Sequence, residues 1–170
     1  NAVTNIDKFS ATLNGSVNAD NGSAITERGF VYSTTTNPVI GGGGVVKQTV
    51  AGTTGAYSYN ASSLSAKTTY YVKAYAINEA GTSYGSQTSF ETLSAAPSVT
   101  STGVTNLVDT TATLGGNVTA DNGSTITERG VCYGISENPT TANNKQVVSG
   151  TTGSYTKDIT GLTAATTYHY

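Results

Sequence analysis

The sequence predicts an all-β protein built as two tandem β-sandwiches, and three observations carry this. First, the chain repeats itself: ATLNGSVNADNGSAITERGFVY at 11–32 returns as ATLGGNVTADNGSTITERGVCY at 112–133, and AGTTGAYSYNASSLSAKTTYY at 51–71 returns as SGTTGSYTKDITGLTAATTYH at 149–169. The offsets are 101 and 98 residues, so the copies differ in length by three residues between the two blocks. A period near one hundred residues is too long for a solenoid unit and fits a pair of small domains, each able to bury one modest core. Second, apolar and polar residues alternate, and helical periodicity is absent. Third, the chain is rich in Thr, Ser, Gly, Ala and Asn, with 11% charged residues and no Met or Trp. Thr, Val and Tyr favour strands, whereas Gly and Asn favour turns.

The elements follow in order. In 11–17 the residues Ala11, Leu13 and Val17 share one face and polar residues the other, the pattern of a half-buried antiparallel strand. Asp20-Asn21-Gly22-Ser23 is a turn. The next strand runs from Ile25 to Tyr32. Asn37-Pro38 and the glycines at 41–44 form a loop, and the glycine run takes up the three-residue length difference. Short strands are expected near 45–50 and 56–61, a long one from Thr68 to Asn78, a turn at Glu79-Ala80-Gly81, and a last strand to about Thr92. Seven short strands separated by turns read as a β-sandwich. The boundary falls at Ser94-Ala95-Ala96-Pro97, giving domains 1–94 and 95–170. So short a linker predicts adjoining domains that touch and move semi-rigidly.

The stretch Leu64, Thr68, Tyr70, Val72, Ala74, Ala76, Asn78 and Gly81 resembles the E–F corner, strand F and F–G turn of a fibronectin type III domain, an immunoglobulin-like β-sandwich. Leu162, Thr166 and Tyr168 repeat its start. The resemblance implies that Leu64 plugs one end of the sandwich, that Tyr70 and Tyr168 are tyrosine-corner residues bonded to nearby backbone, and that Val72, Ala74 and Ala76 face the core. The family usually carries a Trp in strand B. None is present, so Phe30 or Tyr32 is expected to fill the space, with the buried face of 25–32 left open. The pattern also resembles the tandem fibronectin-III-like repeats of large bacterial cell-surface or secreted proteins. That implies an extracellular or cell-surface location and a structural or adhesive role.

Against this family pattern the first copy begins after the start of strand A, and the second stops inside strand F, before strand G. The expectation is a window on a longer array, with neighbouring repeats of the same protein as partners. The alternative is a filament subunit whose absent strands come from another chain by strand donation.

Net charge is −2 and the pI is near 5.2 without a basic cluster, which argues against nucleic-acid binding. No apolar run is long enough for membrane insertion as a helix. One His and one Cys assemble no catalytic triad or zinc set, so no catalytic residue, cofactor or metal is expected. Cys132 stands where Val31 stands in the first copy and is expected to be a small core residue, the alternative being a reactive or intermolecular thiol. Glu27-Arg28 and Glu128-Arg129 point to opposite sheet faces and read as cross-strand pairing or edge solubility. Asp20 and Asp121 read as Asx turns, with a junction cation near Glu79 as the alternative. Tyr71, Lys73 and Tyr75 should face outward, which makes Tyr71 and Tyr75 candidates for surface binding to a glycan or another cell-surface protein. His169 replaces Tyr71 in the second copy. A carbohydrate-binding accessory module of a secreted polysaccharide-degrading enzyme is therefore the other functional reading, and it requires an exposed, coplanar tyrosine pair.

Overall fold

In the computed structural model, which describes residues 2–170, the alternation at 11–17 forms β1 (Ala11–Val17) with Ala11, Leu13 and Val17 buried. The chain divides into two compact units, Asn1–Ser94 and Ala95–Tyr170. In the first, β1 pairs antiparallel with β4 (Gly55–Ala61), from Ala11↔Ala61 to Val17↔Gly55. The opposing sheet is centred on β2 (Glu27–Ser33) and β5 (Thr69–Asn78). Here β3 (Val46–Thr49) lies outside β2, and β6 (Gly81–Tyr84) and β7 (Thr88–Glu91) lie outside β5. The chain changes sheet after β1, β3 and β4 and makes hairpins within the second sheet. This strand order is that of an immunoglobulin-like sandwich of fibronectin type III arrangement.

The core between the sheets joins Leu13, Phe30, Tyr32, Tyr57, Leu64, Tyr70, Val72 and Phe90. In this chain without tryptophan, aromatic pairs are prominent in the core: Phe30 and Tyr57 have centroids 5.0 Å apart, and Tyr70 stacks on Phe90 at 5.7 Å. Both Phe30 and Tyr32, the two residues expected to fill the tryptophan's space, are buried there. Val31, on the opposite face, is also fully buried. A strand covered on both faces loses its alternation, which is why the sequence left its inner face open.

Three elements depart from expectation. The second strand begins at Glu27 rather than Ile25, although Ile25 still packs on the core. The expected last strand is two pieces, β6 and β7, interrupted at Gly85-Ser86-Gln87. The residues before β1 contribute only a bridge, Thr4↔Thr12.

In the second unit β8 (Ser98–Val108), β9 (Thr111–Ala120) and β12 (Gly153–Thr160) form one sheet in the order β12-β9-β8. The other sheet pairs β10 (Arg129–Tyr133) with β11 (Asn144–Val148). The core is Ala112, Leu114, Val118, Val131, Tyr155 and Ile159. Cys132 is not part of it, contrary to expectation. Val131 is in the core and Tyr133 packs against it, so alternation turns Cys132 to the other face, half-buried with its Sγ 3.5 Å from the Pro139 carbonyl.

Candidate functional site

The residues most elaborately held in each unit are an arginine and the tyrosine facing it, and the design occurs twice. Arg28 on β2 is 7% exposed. Its guanidinium donates to the Ala51 carbonyl from Nη2 at 2.7 Å and Nε at 3.1 Å. Its Nη1 reaches the carbonyls of Thr53 and Thr54 at 3.0 Å and Gly55 at 3.3 Å. The group also lies 4.6 Å from the centroid of the Tyr57 ring on β4, and the Tyr57 hydroxyl donates back to the Gly29 carbonyl at 3.0 Å. One side chain thus ties a strand of one sheet to the loop and strand of the other. A planar fork suits such a ring of carbonyls, which an ammonium cannot span.

The second unit repeats this with Arg129 on the carbonyls of Ser149, Thr151, Thr152 and Gly153, between 2.6 and 3.3 Å. Arg129 lies 5.0 Å over Tyr155, whose hydroxyl donates to the Gly130 carbonyl at 2.8 Å. The glycines of both motifs are required by contact. A Cβ on Gly29 would be driven into the Gln48 carbonyl of β3, and Gly52 (φ +102°) leaves no room beside the Arg28 guanidinium. Cross-strand pairing or edge solubility, the expectation for Glu27-Arg28 and Glu128-Arg129, does not describe the arginines, which bond backbone carbonyls instead. The signal was present: TERG and GTTG both recur, and the structure shows that these two recurring blocks hold each other.

The glutamates do form cross-strand pairs. Lys47 Nζ lies 2.7 Å from Glu27 Oε1, and Lys145 Nζ lies 2.8 Å from Glu128 Oε1. The Lys47 hydrogen bond, followed by that from Tyr75, holds the Glu27 carboxyl below its ordinary range.

The tyrosine-corner positions act through their hydroxyls. Tyr70 accepts from the Ser65 N–H at 2.9 Å and Tyr168 from the Thr163 N–H at 3.2 Å. That hydrogen bond stabilises the Tyr168 phenolate and lowers its pKa.

On the outer face of β5 the outcome differs from expectation. Val72, Ala74 and Ala76 pack on the core, so Tyr71, Lys73 and Tyr75 take the other face. Yet Tyr75 is 2% exposed. Its hydroxyl donates to Glu27 Oε1 at 2.7 Å and lies 3.3 Å from Thr49 Oγ1, and Lys47 Nζ sits 5.7 Å over its ring. Burial, with the Glu27 hydrogen bond, pushes its pKa up to about 12. Tyr75 is therefore no surface-binding residue: neighbouring strands cover its ring. Tyr71 is half-buried, and it forms no stacked pair with Tyr75 among the described residues.

Asp20 and Asp121 accept from the N–H of Gly22 at 3.1 Å and Gly123 at 3.0 Å, which is Asx-turn geometry. Asn78 donates to the carbonyls of Asp20 and Ser23, both at 3.3 Å, and so ties that turn to the one holding Glu79. Among the described residues no three His, Cys, Asp or Glu side chains gather. His169 is placed by its backbone, bonded to Gly134 in both directions.

No protein-family model matches the chain, and no curated protein matches it. Among solved structures, a crystal structure of chicken CNTN1 FN1-FN3 domains aligns over 98% of this chain and 57% of its own, at 16% identity and a TM-score of 0.38. The chain thus spans less than two thirds of that structure. The strand order described above, not this loose likeness, carries the fold assignment.

Proposed function

We propose that the chain is a non-catalytic structural or adhesive repeat module of an exported bacterial surface protein, serving as a semi-rigid spacer or display stalk. The observation that carries this reading is how little chain lies free at the boundary. Thr92 is 1% exposed, with its hydroxyl donating to the Ser65 carbonyl at 2.6 Å, and the Leu93 N–H donates to Asp7 in the first unit. Ala95 is already bonded to Asn122 in the second. Ser94 alone separates residues that are each anchored within their own unit. What the two copies share also supports the reading. The brace, the tyrosine corner and the core alternation recur, whereas Tyr71 becomes His169. Duplication has kept the means of holding the fold, not a surface site.

The test is mechanical unfolding of the chain between molecular handles. Discrete, cooperative unfolding of the first unit is expected, with lower force for Arg28→Ala. Smooth extension without such events would overturn the spacer reading. The glycan-binding reading is weaker, because Tyr75 is covered.

A further inference from the structure

One residue holds the segment that leads into the second unit. Asn122 stands in the turn between β9 and β10, in the left-handed region at φ +52°, followed by Gly123 at +77°. Asp121 secures that turn: its carbonyl accepts from the Ser124 N–H at 3.1 Å and its carboxylate from the Gly123 N–H at 3.0 Å. The Asn122 carbonyl accepts from the Ala95 N–H at 3.0 Å. Its side-chain amide donates to the Ala96 carbonyl at 2.7 Å and to Ser98 Oγ at 3.0 Å. Three bonds from one residue thus fasten 95–98, and Ala95 is 8% exposed. Beyond them the chain enters the β8–β9 ladder at Ser98↔Ala120 and Val99↔Val118. Both side-chain bonds need a donor at Asn122, which an amide has and a carboxylate lacks.

We propose that Asn122 is a one-way latch on this segment, released when its side-chain amide is lost as ammonia. The Gly123 nitrogen, giving its proton to solvent, attacks Asn122 Cγ, and the amide nitrogen leaves with a proton as ammonia. Water then opens the cyclic imide to the carboxylate of aspartate or isoaspartate. No electrons are transferred, and water is the only co-reactant. Gly123 has no Cβ to hinder its nitrogen, which favours the attack. The closed latch opposes it, because the Gly123 N–H is committed to Asp121 and the amide to the linker segment. Reaction therefore follows opening of the turn. Its product cannot close again, since an acceptor-only carboxylate would face the Ala96 carbonyl, oxygen against oxygen. The unanchored chain then lengthens from Ser94 to residues 94–97, up to the start of β8.

Residue-resolved amide exchange on the intact chain is the first test. Asn122→Asp installs the charge of the product. Protection of the Ala95 N–H should fall by about tenfold at neutral pH, where exchange reports local opening. It should return below about pH 4, where a protonated carboxyl again donates to the Ala96 carbonyl. Asn21→Asp alters the matching turn of the first unit, where Asn21 has φ +54° and Gly22 N–H bonds Asp20 Oδ1 at 3.1 Å. That variant should leave Ala95 unchanged. The second test follows ammonia loss at mildly alkaline pH by peptide mass mapping. Ser98→Ala removes one acceptor of the latch without touching Asn122-Gly123. Loss at Asn122 should then quicken by about threefold or more, while loss at Asn21 keeps its rate. Unchanged Ala95 protection in Asn122→Asp, protection lost equally at every pH, or an unaltered rate at Asn122 in Ser98→Ala would each overturn the proposal.

Discussion

At the scale of single residues, the decisive contacts are those a point substitution can interrogate. Arg28→Lys keeps the charge but loses the fork that serves four carbonyls. Several charge-assisted bonds and the ring contact go together, so destabilisation of about 3 kcal/mol is expected in urea unfolding of the first unit. A change below about 0.5 kcal/mol would mean that the carbonyls are satisfied equally well without the arginine. The outer tyrosine makes a pH prediction. Tyr75 titrates near 12 in the folded state because burial and Glu27 oppose its phenolate, whereas an unfolded tyrosine titrates near 10. A raised folded pKa means stability that is complete below about pH 10 and lost progressively as pH rises towards about 12. Tyr32 and Tyr57 are shifted the same way by burial. Urea midpoints of the first unit should therefore fall across that window, and less steeply in Tyr75→Phe. An identical slope in the variant would remove Tyr75 from the effect. Glu27 acts at the other limb: its depressed pKa gives stability present above the ordinary glutamate value of 4.5 and lost as pH falls through the folded value.

At the scale of elements, each strand depends on what its neighbours allow. β3 approaches β2 so closely that Gly29 has no room for a Cβ against the Gln48 carbonyl. Gly29→Ala must separate two backbones rather than move a flexible side chain. It should cost about 2 kcal/mol or more and raise amide exchange in β3 before other strands. Uniform exchange throughout the sheet would show instead that the strain spreads beyond the β2–β3 pair. Much of this architecture was legible in the sequence. Alternation at 11–17 and 69–78, turn residues at 20–23, and the Leu64–Tyr70 spacing each encode local geometry with a fixed period, and the structure follows them. What escaped was non-local. The Arg28 side chain is bonded to residues more than twenty positions away, and no local pattern separates a brace from a solvated arginine. Tyr75 obeyed alternation in direction but not in exposure. Alternation tells which face a side chain takes, whereas coverage depends on Lys47, Glu27 and Thr49 arriving from other strands. Cys132 was misplaced because it was read through its equivalent Val31, which is fully buried yet lies on the face away from the core cluster of Phe30 and Tyr32.

At the scale of the whole molecule, the two units have separate cores and differ in how much apolar surface each buries, so their stabilities should differ accordingly. The first closes its core with aromatic stacking between Tyr70 and Phe90 and with a five-stranded sheet. The second faces its three-stranded sheet with only β10 and β11, leaving Leu107, Val108 and Val99 more than half exposed. Apolar surface left in water contributes nothing to folding, at about 25 cal/mol for each Å² not buried. Each unit has its own core, so unfolding should proceed in two steps, the second unit first and with the smaller denaturant dependence that less buried surface implies. The paired arginines identify the steps. Arg129→Lys should shift only the earlier transition, and less than its counterpart does, because Arg129 is the more exposed guanidinium. Arg28→Lys should shift only the later one, since perturbations without shared partners act independently. Equilibrium urea unfolding, followed by tyrosine fluorescence and amide exchange together, separates the outcomes. If each substitution moved both transitions, or if one transition accounted for the whole chain, the units would be thermodynamically coupled. The array would then behave as a single cooperative body rather than as a series of modules.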